Sequence, residues 1–173
     1  AAASSSDEER KAAQRTAQEA YRAALPHFTS ATQLDPSMHE AYTYLGYANR
    51  KLGRYDESLQ AYGQALKINP DTPYAIEYQG ETFLALNRIA EARFNFLRLY
   101  ALDAYSAGKL LRAMRAWVEA NKAKPPAGVD VPELGAGDAQ GDGQPRARLG
   151  QFGGGLRFAC RPFGADRGRE HGH

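Results

Sequence analysis

A displacement of 34 residues recurs along this chain and narrows its fold more than any other feature. Glu40-Ala41-Tyr42-Thr43-Tyr44-Leu45-Gly46 is followed by Gly53-Arg54-Tyr55, Tyr62, Ala65-Leu66 and Pro70. At that offset stand Tyr74-Ala75-Ile76-Glu77-Tyr78-Gln79-Gly80, then Asn87-Arg88-Ile89, Phe96, Leu99 and Ala104. Stepping the other way carries Ser58, Tyr62, Ala65 and Pro70 onto Ala24, Phe28, Ala31 and Pro36, and Phe83 steps forward to Trp117. A fixed period of this size means a supersecondary unit that cannot bury its apolar face alone and stacks on its own copies.

Within the unit the apolar spacing is helical. Tyr42, Leu45, Asn49 and Leu52 share one face, with Ala41 and Ala48 beside them; Leu59, Tyr62, Ala65 and Leu66 share another. Gly46 and Ala65 are small where two backbones must approach. Gly53 suits a left-handed helix cap and Asn87 is the next best residue there. Pro70 and Pro73 end one hairpin and begin the next. The spacing predicts helices near 40–52, 56–68, 74–86, 90–102 and 107–121, preceded by one or two near 7–34.

These residues resemble the tetratricopeptide repeat. Tyr42, Leu45-Gly46, Gly53-x-Tyr55, Tyr62, Ala65-Leu66 and Pro70 give a near-complete repeat over 39–72. A second over 73–106 has Gln79 where Leu is usual and Ala104 where Pro is usual. Residues 5–38 keep mainly the second helix, with Leu34-Asp35-Pro36, and 107–122 resemble a closing half repeat. The resemblance spans roughly 5–122. It implies an all-α fold: a right-handed solenoid of antiparallel helical hairpins, about three repeats plus a closing helix.

Two departures bear on the ends. Gln18-Glu19-Ala20 stands where the first turn should lie, and the leading segment Glu8-Glu9-Arg10-Lys11 is almost wholly polar. That segment either runs on as one long rod, kinked or frayed at Pro26, or serves as a polar amino-terminal cap. At the other end Leu110, Leu111, Met114, Trp117 and Val118 form an apolar stripe, with Lys109, Arg112, Arg115, Glu119 and Lys122 on the polar side. The stripe closes the stack, or part of it pairs with another copy.

Composition divides the chain near residue 123. All 10 Tyr and the single Trp precede residue 118, whereas most of the 17 Gly follow residue 123. The expected organisation is a flexible 1–6, a repeat domain over 7–123, and a Gly/Pro/Arg-rich disordered tail over 124–173. The chain opens Ala1-Ala2-Ala3-Ser4-Ser5-Ser6, as a processed chain or a fragment would. That leans to a bacterial periplasmic setting, with the cytoplasm as the alternative. The formal charge of +2, from 22 basic and 20 acidic residues, argues against a duplex-wrapping protein. No apolar run is long enough to span a bilayer.

No catalytic set emerges. His27 and His39 have no partner at metal-ligand spacing and read as surface or cap residues. Glu170 with His171 and His173 suggests at most a loose metal site. Cys160 beside Arg157 and Arg161 lacks a held base. Gly153-Gly154-Gly155 lacks the Lys-Ser/Thr of a phosphate loop. The tail arginines, among them Arg146, Arg148, Arg167 and Arg169, are interleaved with acids, so RNA binding there is disfavoured. No enzyme, cofactor or metal is expected.

In stacked hairpins the first helix of each pair lines the inner side. The face left over on helix 40–52 carries Thr43, Tyr44, Tyr47 and Arg50. The offset sets Glu77, Tyr78, Glu81 and Leu84 beside them, then Leu111, Arg112, Arg115 and Val118. Tyrosine suits recognition, since a large ring is buried while its hydroxyl finds a partner. Glu77 and Glu81 are expected to meet a ligand's Lys or Arg, and Arg112 and Arg115 a carboxylate. Some repeats of this family clamp a terminal carboxylate, but the matching places here, Glu9, Ala13, Tyr44, Tyr74 and Tyr78, cannot. What remains is a noncatalytic module that binds a peptide or helix of a protein partner in the concave groove. Self-assembly into a homo-oligomer, through the terminal helix or the convex face, is the alternative.

Overall fold

The computed structural model describes residues 2–129, with side chains from residue 6 onward, and among them it shows six helices and no strand. They are α1 (Ala2–Leu34), α2 (His39–Lys51), α3 (Tyr55–Ile68), α4 (Pro73–Ala85), α5 (Ile89–Leu102) and α6 (Ala104–Asn121). The expectations for residues 130–173, including Cys160, the triple glycine, the tail arginines and His171–His173, lie outside the described residues.

The turns inside the two hairpins follow the repeat. After α2, Gly53 takes φ 75°; after α4, Asn87 takes φ 59°. At the first turn, Gly53 N–H donates to Arg50 O (3.0 Å) and Arg54 N–H to Asn49 O (2.9 Å). At the second, Asn87 N–H donates to Leu84 O (3.0 Å) and Arg88 N–H to Phe83 O (2.8 Å). Both are the paired closure that a left-handed residue after the helix permits. Leu52 and Leu86, expected in the last turn of each helix, are the C-cap residues. Pro73 opens α4, where its missing N–H would have had no helical partner.

Consecutive helices pack on one another, and α2, α4 and α6 also touch in series, whereas α3 and α5 do not. The row of first helices is therefore the inner side of an α-solenoid. Its core is Ile76, Leu84, Ala92, Leu99, Ala107 and Leu110, backed by Leu66, Phe83, Ile89, Phe96, Met114 and Trp117. Gly46 admits the Tyr62 ring: a Cβ there would lie 2.6 Å from it. Gly80 does the same for Leu110 of α6 rather than for its own hairpin partner.

At the two ends one open alternative is decided and one helix start moves. The segment before α2 is one 33-residue helix that carries Pro26 inside it. Glu8, Lys11, Arg15 and Gln18 stand one period before Tyr42, Leu45, Asn49 and Leu52, so a folded-back helix would have no apolar face to bury. Residues 6–17 are exposed, tied by the pairs Arg10–Asp7 and Lys11–Glu8 (3.1 Å). The helix begins at Ala2. Finally, α6 begins at Ala104 rather than 107. The period puts Ala104 where Pro70 ends the previous unit, and Asp103 caps the helix at once, its carboxylate accepting from Ser106 N–H at 2.9 Å. Ser106, through its hydroxyl and then its N–H, holds the Asp103 carboxyl below its usual pKa. The α6 stripe turns inward: Leu110 and Val118 are buried, and Met114 and Trp117 pack on the core.

Candidate functional site

The inner side carries a connected row of rings. Tyr21 of α1 meets Tyr47 of α2 edge-on at 5.9 Å, and Phe28 of α1 stacks on Tyr44 at 5.7 Å. Tyr47 lies 4.9 Å from Tyr78 of α4, and Tyr74 stacks on Tyr78 at 6.3 Å. Three helices supply these rings, at positions seven residues apart on α1, three on α2 and four on α4, with Tyr44 and Tyr78 one 34-residue period apart, so helix pitch and repeat period together align them.

Cations and carboxylates are woven through the row. Arg50 lies over Tyr47 (5.2 Å) and Tyr78 (5.5 Å) and pairs with Glu81 at 2.5 Å. Lys109 lies over Tyr78 (5.7 Å) and Tyr105 (5.6 Å) and pairs with Glu77 at 2.5 Å. Thus α4 offers two acids, one gripped from α2 and one from α6. Glu77 is 0% exposed, and its Oε2 has no hydrogen-bond partner. The Glu77 carboxylate raises the pKa of Lys109. Burial raises the phenol pKa of Tyr78 and, much further, of Tyr62.

The expected strip is thereby redistributed. Tyr44 is well exposed, and Arg112 and Arg115 lie on the exposed side of α6. Tyr47 and Tyr78 are half-buried between helices. Arg50 and Glu81 grip each other, and Glu77 grips Lys109, so both acids have partners within the chain. Thr43 is 4% exposed and donates its hydroxyl to His39 O at 2.9 Å. Leu84 and Val118 belong to the core. The physical reason is the position of the inner helices. Each is wedged between two neighbours and buries a broad face of small residues (on α2, Ala41, Thr43, Gly46, Ala48 and Asn49), leaving Tyr42, Leu45 and Leu52 only half-buried.

Glu40, Tyr74, Tyr105 and Lys109 were not singled out for the site, and the structure brings them to it. The spacing of Tyr74 to Tyr78 and of Tyr105 to Lys109, four residues each, was the available signal. His39 is a joint rather than a surface residue: its ring meets Asn69 Nδ2 at 3.2 Å and Thr72 Oγ1 at 3.4 Å, tying the start of α2 to the α3–α4 turn. Glu40, Thr43, Tyr44, Thr72, Tyr74 and Tyr78 line a cavity of about 210 Å³ between α2 and α4. A broader hollow, lined by Gln79, Phe83, Phe94, Asn95 and Arg98 among others, lies on the α4–α5 hairpin. Among the described residues no group of three His, Cys, Asp or Glu side chains is arranged to hold a metal ion, and no helix is long and apolar enough to cross a membrane.

Helical hairpins in series, with aromatic rings along the inner row, define a helical-repeat protein. Residues 39–72, which are α2, α3 and the turn after them, match the family model of the tetratricopeptide repeat, so the chain carries that repeat within its solenoid. Such repeats generally mediate protein–protein interaction. None of the curated proteins matches the chain.

Proposed function

We propose that the chain is a noncatalytic scaffold or adaptor that binds a peptide or helix of a partner protein along its inner face. The observation that carries this is the exposure of Tyr44 (53%) and Tyr74 (54%) at the mouth of the cavity between α2 and α4, on a floor of rings already fixed by packing. A preset aromatic surface loses little rotamer freedom on binding, which suits it to recognition. Tyr44→Ala with Tyr74→Ala should abolish capture of peptides selected on the intact chain from a random display library, with circular dichroism still helical. Unchanged capture by the double variant refutes the groove.

Self-association is the second reading, and it has its own observation on α5. Phe94 (63% exposed), Leu97 (50%) and Ala101 form an outward stripe. One period earlier the same places on α3 hold Gln60, Gly63 and Lys67. An apolar patch at one repeat and a polar one at the next is a local choice rather than a demand of the fold. Light scattering over a concentration series tests it: a monomer throughout, unaltered by Phe94→Gln with Leu97→Gln, removes this reading.

A further inference from the structure

We propose that the cavity between α2 and α4 is a subsite for one basic side chain, arginine or lysine, of the bound peptide. The proposal rests on the groove reading and adds the chemistry of the occupant. At about 210 Å³ the cavity is below the usual range for a whole small-molecule ligand and suits a single side chain.

Its lining selects the charge. Tyr44, Tyr74 and Tyr78 contribute aromatic rings, and ring faces attract cations. Tyr74 and Tyr78 stack on each other, 6.3 Å between centroids and inclined by 28°, which leaves the exposed rings of Tyr44 and Tyr74, rather than a slot between Tyr74 and Tyr78, for a flat guanidinium or an ammonium stem to lie against. Glu40 is the only charged residue in the lining, and its side chain is 61% exposed. The two threonines are committed within the fold: Thr43 donates to His39 O and Thr72 to Asn69 O at 3.0 Å. Tyr78 already has two of the chain's own cations over it, Arg50 (5.5 Å) and Lys109 (5.7 Å), each neutralised by its carboxylate, Glu81 or Glu77, so the rings open to a ligand's cation are Tyr44 and Tyr74.

Besides these two cations beside Tyr78, the helix ends oppose a third. The cavity lies by the amino-terminal ends of α2 and α4, and a helix end carries about half a positive elementary charge that fades within a turn. At α2 that end is already faced by Glu40. At α4 it is outweighed by a full carboxylate charge and the ring faces. A carboxylate ligand would meet Glu40 directly. An apolar side chain would desolvate Glu40 and leave it only the contact that its Oε1 makes with His39 Nε2 at 3.3 Å.

The test uses the intact chain with isotope-labelled tyrosine rings and three probes: the N-acetyl amides of arginine, norleucine and glutamate. The arginine amide should shift the Tyr44 and Tyr74 ring signals saturably, and the other two should not. Glu40→Gln should weaken the arginine probe about two- to fivefold, as for an exposed ion pair. Tyr74→Leu should weaken it by at least about twofold. Equal shifts from norleucine, stronger shifts from glutamate, or no shift from arginine at these rings overturn the proposal. A second arm separates it from the groove itself. If selected peptides lose binding on the Tyr44→Ala, Tyr74→Ala chain yet tolerate replacement of every basic residue by norleucine, the groove stands and the basic subsite falls. If the arginine amide binds as described and no peptide is captured, the subsite stands and the groove reading falls.

Discussion

Removing Lys109 should damage the fold far more than removing the carboxylate it pairs with. Lys109→Met leaves Glu77, fully buried, with neither water nor a counter-charge, and stranding one member of a buried pair costs about 3 kcal/mol or more. Glu77→Gln leaves an ammonium on a long stem whose side chain is already 28% exposed, so it can swing into solvent, and the cost is about 1 kcal/mol. Replacing both by Met removes the desolvated charges together and should restore stability to about that of the parent. In a helical domain of this size, 3 kcal/mol corresponds to roughly 10 °C in the melting midpoint. Thermal unfolding followed by far-ultraviolet circular dichroism on the four chains gives the order: parent and double variant together, Glu77→Gln a little below, Lys109→Met lowest. A Lys109→Met midpoint within about 2 °C of the parent, or above that of Glu77→Gln, refutes the claim that the pair is asymmetric because of its burial.

Packing, backbone strain and pH give three further predictions. Gly46→Ala gains about 1 kcal/mol of helix propensity but drives a Cβ to 2.6 Å from a fully buried ring, so it should destabilise by about 1 kcal/mol net. Gly53→Ala meets open space but must hold φ 75°, and should cost about 1 kcal/mol by strain alone; urea unfolding measures both. In alkali, the raised pKa values of Lys109, Tyr78 and Tyr62 mean that the folded chain keeps protons the unfolded chain releases. Their stabilisation is complete below pH 10 and declines as pH rises past about 10 to 10.5, where the unfolded groups titrate. Melting midpoints from pH 8 to 11 should fall more steeply for the parent than for the Lys109→Met, Glu77→Met double variant.

The hairpins could be read from the sequence because their signals are local and repeated. A left-handed turn residue is visible as Gly53 and as Asn87, and the paired hydrogen bonds follow from it. The close approach at Gly46 was visible as a small residue, but that Gly80, one period on, faces Leu110 depends on how α6 sits across α4. The first helix was open between a rod and a cap because Pro26 argues locally for a break. The rod prevails because no apolar face exists upstream to fold back. The inner face was the least legible. Thr43 and Glu77 fall on the outer side of a single helix, and only the wedging of each helix between two neighbours buries them. The Glu77–Lys109 and Arg50–Glu81 grips depend on the lateral offset between helices, which no spacing within one helix encodes.

Trp117 of α6 donates its indole N–H to Asn87 Oδ1 at 3.2 Å, the side chain of the residue that closes the α4–α5 turn. The chain has one tryptophan, and it is latched to the last hairpin junction. Its fluorescence is therefore a built-in gauge of whether the terminal helix is seated. On heating, emission should redden before bulk helicity declines, reporting the stack unzipping from that end.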